Sequence, residues 1–158
     1  MSDLPRSAQN TPASFEDYLK DSELAGVQDK LELMDVGTKM RLAFSGSPSV
    51  RRILVRDRNR RVSTAVLQSK LSVEEVEAIA GMRNVDEEVL RIIASNQEWM
   101  SHYCILVAVV RNPKTPLTHA LNLVPRLMTR DVRALSRDTG VQEGVRNMCM
   151  RLVRTKNL

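Results

Sequence analysis

The apolar residues of this chain fall in short bursts with the spacing of a helix face, and Gly, Pro, Asn, Asp or Ser closes each burst before it runs long. From Gln28 onward these bursts predict helices over 28–34, 38–45, 49–56, 60–68, 72–80, 86–95, 98–111, 116–123, 129–136 and 142–153. The best-marked start is Ser72-Val-Glu-Glu75, a capping box: the Ser hydroxyl accepts from the Glu75 amide, and the Glu75 carboxylate accepts from the Ser72 amide. Leu71 and Val76 take the flanking staple positions, and Val73, Val76, Ile79 and Ala80 share the buried face, leaving Glu74, Glu75 and Glu77 to solvent. Asp86 is placed to cap the next helix, where Val89, Leu90, Ile92 and Ile93 make an apolar face broad enough to be buried between two layers. At Arg111-Asn-Pro-Lys-Thr-Pro116 the chain breaks and restarts, because Pro113 lacks an amide donor and Pro116 suits a first helical turn capped by Thr115.

Residues 1–13 are polar, Pro-containing and aperiodic, which predicts a flexible tail. Ser14-Phe-Glu-Asp17 has a cap followed by acidic residues suited to a helix start, with Phe15, Tyr18 and Leu19 on one docking face. The expected organisation is a tail over 1–13, an N-terminal helical cap over 14–37 and a helical domain over 38–158.

The packing pattern also returns at a spacing of about 56 residues. Lys70-Leu-Ser-Val-Glu-Glu-Val-Glu-Ala78 reappears as Arg126-Leu-Met-Thr-Arg-Asp-Val-Arg-Ala134, and Val85-Asp-Glu-Glu-Val89 as Val141-Gln-Glu-Gly-Val145. The shared positions are mostly aliphatic or small. Upstream, after a one-residue slip, Leu54-Val-Arg-Asp57 pairs with Val109-Val-Arg-Asn112 and Ala65 with Ala120. Such self-similarity predicts an all-α fold, a short right-handed α-solenoid of stacked antiparallel helix pairs with two imperfect repeats.

The Asn-Pro-Lys-Thr-Pro string, followed by a short Leu-rich helix and another carrying Val-Arg, resembles the leucine-rich-variant and HEAT-like α-solenoid repeats of bacteria. Together with Arg56-Asp-Arg-Asn-Arg-Arg-Val62 it is also similar to a group of largely deltaproteobacterial helical-repeat proteins. The resemblance spans about residues 38–153 and implies a binding scaffold, with no catalytic residues to transfer. The Cys cluster of some leucine-rich-variant proteins is missing, so the resemblance implies no iron–sulfur centre.

Composition changes this picture little. The chain of 158 residues has 42% hydrophobic residues but only two Phe, two Tyr and one Trp, which points to an aliphatic, helix-on-helix core. Its net charge of +5 permits an anionic partner, but 24 basic against 19 acidic residues is a modest excess. Cys104 and Cys149 lie in apolar stretches without ligand spacing and are expected to be buried, reduced thiols of a cytoplasmic protein. No apolar run nears the ~20 residues of a membrane span, so no membrane partner is expected, and the N-terminus lacks an apolar signal region, so secretion is not expected.

The sharpest chemical feature is the run from Arg51 to Arg61, where Arg51, Arg52, Arg56, Arg58, Arg60 and Arg61 face a single Asp57. Forked guanidinium donors at this density suit a carboxylate-rich surface or phosphates. The alternative is a solvated edge whose arginines pair with Glu32, Glu74, Glu75 and Glu77. The Arg52/Arg56 spacing is similar to that of the cyclic-di-GMP-binding PilZ domain, but the companion Asp/Asn-x-Ser-x-x-Gly motif is absent and the flanking period is helical. HEAT-like DNA glycosylases need aromatic and acidic groups at the lesion; here Trp99 stands alone and is expected to pack between layers. His102 and His119 have no partner at metal-ligand spacing, and no Gly-rich phosphate loop occurs. The expectation is a non-enzymatic adaptor or scaffold, without cofactor or metal, that binds a protein with an acidic surface through the helical array and the arginine-rich edge. Nucleic-acid or nucleotide binding is the alternative.

Overall fold

The computed structural model describes residues 24–156, and the fold is all-α, with no strand among the described residues. The chain divides into two compact units, Met1–Met34 and Asp35–Leu158. The described part of the first contains α1 (Leu24–Glu32). The tail expected over 1–13 and the helix expected from Ser14, with Phe15, Tyr18 and Leu19, lie outside the described residues.

The second unit is a succession of short helices: α2 (Val36–Ser45), α3 (Pro48–Leu54), α4 (Arg60–Val66), α5 (Val73–Gly81), α6 (Glu87–Ser95), α7 (Gln97–Ser101), α8 (Tyr103–Arg111), α9 (Leu117–Leu123), α10 (Thr129–Leu135) and α11 (Glu143–Thr155). A 3-10 turn over Val124–Arg126 links α9 to α10. Starts are set locally, by the side chains of Asp35, Ser47, Asn59, Ser72, Asp86 and Asn96, each accepting from an early backbone amide. Both halves of the Ser72/Glu75 capping box are present.

Two sets of helices enclose the core. In one, α5 lies against α3 and α8; in the other, α6 lies against α4 and α9, and α9 against α11. Between them Leu54, Val62, Leu90, Ile93, Ile105, Val109 and Leu135 are essentially inaccessible. Val76 and Val132 are both buried, as are Val85 with Val141 and Val89 with Val145. Ile92, expected in the same buried face as Val89, Leu90 and Ile93, is only half-buried. It sits at the flank of that face, where the helical period turns it towards the rim.

Two further expectations need correction. The helix expected over 98–111 is two helices, because His102 adopts extended backbone (φ −83, ψ 112) between α7 and α8. Asn96 starts α7, and Tyr103 at the head of α8 is held by α10: its hydroxyl donates to Asp131 and accepts from the Met128 amide. Thr115 does not cap α9, which begins at Leu117 without a side-chain cap. Its hydroxyl is buried and instead donates to the Val109 carbonyl at 2.6 Å, closing the end of α8.

The breaks between paired helices are themselves structured. Asp57, Asn112 and Asp138 each accept from the amide two residues on, those of Asn59, Lys114 and Gly140, at 2.8, 3.0 and 2.8 Å. These Asx turns fix the direction of the following helix. Neighbouring breaks are then tied together. Buried Asn112 donates through Nδ2 to the carbonyls of Ala80 and Met82, both at 2.7 Å, and Gln142 donates through Nε2 to those of Pro113 and Thr115, both at 2.6 Å. Gly144 permits close approach of α9 and α11, since a Cβ there would stand 2.8 Å from Leu117 Cδ1.

Candidate functional site

The six arginines of the run separate into distinct roles once folded. Arg51 is turned inward: its Nε and Nη2 donate to Glu75 Oε1 at 2.9 and 2.7 Å, and its Nη1 to the Gly46 carbonyl at 2.6 Å. With only 12% of its side chain exposed, it clamps α3 to α5. Glu75 is thus a structural partner for this run, one of the pairings open in the sequence. The other five, Arg52, Arg56, Arg58, Arg60 and Arg61, are exposed. Arg56 folds back to donate to the Arg52 carbonyl at 3.1 Å. Arg60 stands 3.7 Å from Asp86, an exposed pair of small energetic weight. Asp57 pairs instead with Lys39 at 2.8 Å, so the one acid inside the run does little to neutralise the exposed arginines.

Beside this edge lies a trough of about 710 Å³ across α5 and α8. Ala78, Gly81, Met82, Val107 and Ala108 form its apolar lining; Arg52, Arg83 and Arg111 and, opposite in sign, Glu74 and Glu77 supply its charges. A smaller trough shares Arg52, Glu74, Ala78 and Met82 with it and extends towards Pro48 and Ser49 on α3. The Glu74 carboxyl is held below its ordinary value by its own backbone amide and then by the Ser72 hydroxyl. Arg111 reaches Asp138 at 3.6 Å. The space above Gly140 is occupied by the Arg83 guanidinium, whose Nη2 lies 3.0 Å from where a Cβ would stand.

Cys104 also lines the trough and is exposed, which corrects the expectation of two buried thiols; Cys149 is buried. In print Cys104 opens an apolar run, but on α8 it faces away from Ile105, Leu106 and Val109. Desolvation raises both thiols above their ordinary value, and Glu77 adds to the effect at Cys104. Both are thiols, not thiolates, at neutral pH. Trp99 is half-buried, His102 exposed and His119 half-buried. Among the described residues no group of three or more His, Cys, Asp or Glu side chains is placed to hold a metal ion, and no helix is long and apolar enough to cross a membrane.

The trough residues that sequence reasoning missed are Arg83 and Arg111. A signal for the second was present: Arg56-Asp57, Arg111-Asn112 and Arg137-Asp138 are three copies of one Arg-Asx pair, each with an exposed arginine beside an Asx turn. The break after α5 carries exposed Arg83 instead. No family model, curated protein or solved structure matches the chain.

Proposed function

We propose that the chain is a short right-handed, HEAT-like α-solenoid acting as a non-enzymatic adaptor, which recognises an acidic protein surface through its arginine-rich edge. The spacing of the helices supports the repeat reading. α5, α8 and α10 begin at residues 73, 103 and 129, and α6, α9 and α11 begin at 87, 117 and 143, always 14 residues later. The unit is then one helix pair, and the self-similarity of about 56 residues links the first and third copies across the middle one. This architecture is akin to the leucine-rich-variant repeats that the Asn-Pro-Lys-Thr-Pro string resembles.

The observation that carries the binding role is the imbalance at the first break. Among the described residues the five exposed arginines make a single ion pair, the 3.7 Å contact of Arg60 with Asp86. Such a surface gains from an anionic partner, and forked donors favour carboxylates and phosphates alike. Glu74 and Glu77 of the adjoining trough oppose a uniformly charged phosphate backbone running across it, whereas a protein surface can set its carboxylates against the arginine edge alone, and this favours a protein over nucleic acid.

The test is affinity capture from the native cell with wild type and with Arg52→Glu, Arg56→Glu and Arg60→Glu combined, followed by titration of the captured partner. The triple variant should keep its helical circular dichroism and lose the partner. Retention of the partner by the folded variant would remove the edge from the interface. Preferential binding of short nucleic acids, with affinity falling steeply between ~50 and ~200 mM salt, would establish the alternative reading.

A further inference from the structure

We infer that the trough over α5 and α8 is itself a polypeptide-binding site, taking a short segment of the partner that carries a carboxylate at one end and an ammonium or guanidinium group at the other. This rests on the adaptor reading above and adds a second, geometrically specified contact to it. Three observations on the trough agree.

First, its charges are sorted along α5. Glu74 and Glu77 lie near the start and at the middle of the helix, with Arg52 of α3 beside Glu74, whereas Arg83 follows its end and Arg111 closes the neighbouring α8, so one end carries two carboxylates to one guanidinium and the other carries two guanidinium groups. At ~1.5 Å rise per residue, Glu74 and Gly81 are roughly 10 Å apart along the axis. A ligand with opposite charges at about that separation is complementary, whereas a uniformly anionic strand meets the two glutamates. Asp138 is the other carboxylate near the basic end, and it meets Arg111 only at 3.6 Å, with Arg83 close by over Gly140. Two guanidinium groups around one carboxylate leave that end cationic.

Second, Gly81 has no role within the fold that requires a glycine. Its backbone lies outside the left-handed region, and a Cβ built on it would meet nothing within 4 Å. At Gly144 the contrast is plain, because there a Cβ would strike Leu117. Gly81 is the last residue of α5, exposed and without a side chain, so the backbone there is open to close approach by a segment lying in the trough. Third, Ala78 and Ala108 share the lining with it, so beside Met82 and Val107 the space between the charged walls is bordered by short side chains.

The probe is the blocked peptide acetyl-Lys-Ala-Ala-Ala-Glu-amide, compared with versions carrying Glu at both charged positions or Lys at both. Titration of the full chain is followed by the backbone amide signals in nitrogen–proton correlation spectra. The mixed-charge peptide should shift the amides of residues 78–83 and 107–112 and saturate at concentrations at least about fivefold lower than either control. Gly81→Leu should abolish those shifts while melting at or above the wild-type temperature, since its side chain has open space. Arg83→Glu with Arg111→Glu, which leaves Arg52 as the one basic side chain lining the trough against four carboxylates, should transfer the preference to the peptide with two lysines.

Equal shifts from all three peptides, shifts centred on residues 56–61, or a Gly81→Leu variant that binds as well as wild type would each overturn the inference. So would a short DNA duplex that competes for the same amides and binds Gly81→Leu unchanged. The two readings fail separately. Loss of the captured partner by Arg56→Glu, Arg58→Glu and Arg60→Glu, with full retention by Gly81→Leu, would sink the trough and leave the edge. The reverse pattern would support the trough and dismiss the edge.

Discussion

The break after α3 and the break after α8 use the same turn and put their polar groups to opposite uses. At both, an Asx side chain holds the amide two residues on. Asn112 then turns its Nδ2 into the protein, onto the carbonyls that end α5, and Thr115 beside it closes α8. The first break turns outward: Arg58, Arg60 and Arg61 follow Asp57, all exposed, and among the described residues their one ion pair is the long contact of Arg60 with Asp86. Asn112 and Thr115 hold adjacent helices in register, while the arginines of the first break remain available to something else. One turn geometry therefore does not imply one role; what decides is whether the next donors point inward or outward.

The largest expected effect comes from removing the inward donor. Asn112→Ala should destabilise the fold by about 2–4 kcal/mol in thermal or urea melts, because two carbonyls at the end of α5 lose their partner in a buried place. A loss below about 0.5 kcal/mol would show that water replaces the amide, and the contrast between the two breaks would collapse. Thr115→Val tests the same break more gently. It keeps the shape and deletes one buried hydrogen bond to Val109, and should cost about 1 kcal/mol by the same measurement.

The head of α8 offers a test by pH. Burial raises the Tyr103 hydroxyl above its ordinary value of 10.0, and the hydrogen bond to Asp131 raises it further. A raised folded-state value means that the stabilising contribution is complete below about 10 and is lost as pH climbs through the higher folded-state value. The buried Cys149 thiol acts in the same sense, from its ordinary 9.0. Stability should therefore decline in melts above about pH 9–10, and Tyr103→Phe should decline less steeply than wild type. An identical slope would place the alkaline sensitivity elsewhere. The smallest expected effect is at the first break. Arg58→Glu, Arg60→Glu and Arg61→Glu together should move the unfolding free energy by no more than about 0.5 kcal/mol, since Arg58 and Arg61 make no side-chain bond among the described residues and Arg60 makes one long, exposed pair. A larger loss would mean that these arginines serve the fold.

Local chemistry was legible from the residues alone. The Ser72/Glu75 box, the Asp86 cap and the buried positions of Val76 and Val132 all follow from spacing, because a cap or a helix face is decided within a few residues. What spacing could not decide was direction. Arg51 and Arg52 are identical neighbours, yet one is enclosed against Glu75 and the other lines a trough, a distinction made only when α3 meets α5. The kink at His102 carries no Gly or Pro to announce it, and the apolar run from Cys104 to Val110 hides the face on which the thiol emerges. The trough was invisible for the same reason: Glu74, Arg83 and Arg111 are brought together by packing between helices.

Glu75 shows how closely local and distant order are joined. One carboxylate oxygen receives the Ser72 amide that begins α5, and the other receives the Arg51 guanidinium from α3. The two contacts reinforce one another, because the rotamer that serves the helix start is the rotamer that meets the arginine. The nucleation of α5, ordinarily an uphill and local step, is thereby rewarded by an association between helices. This coupling favours all-or-none assembly of the first half of the domain over the accumulation of frayed single helices.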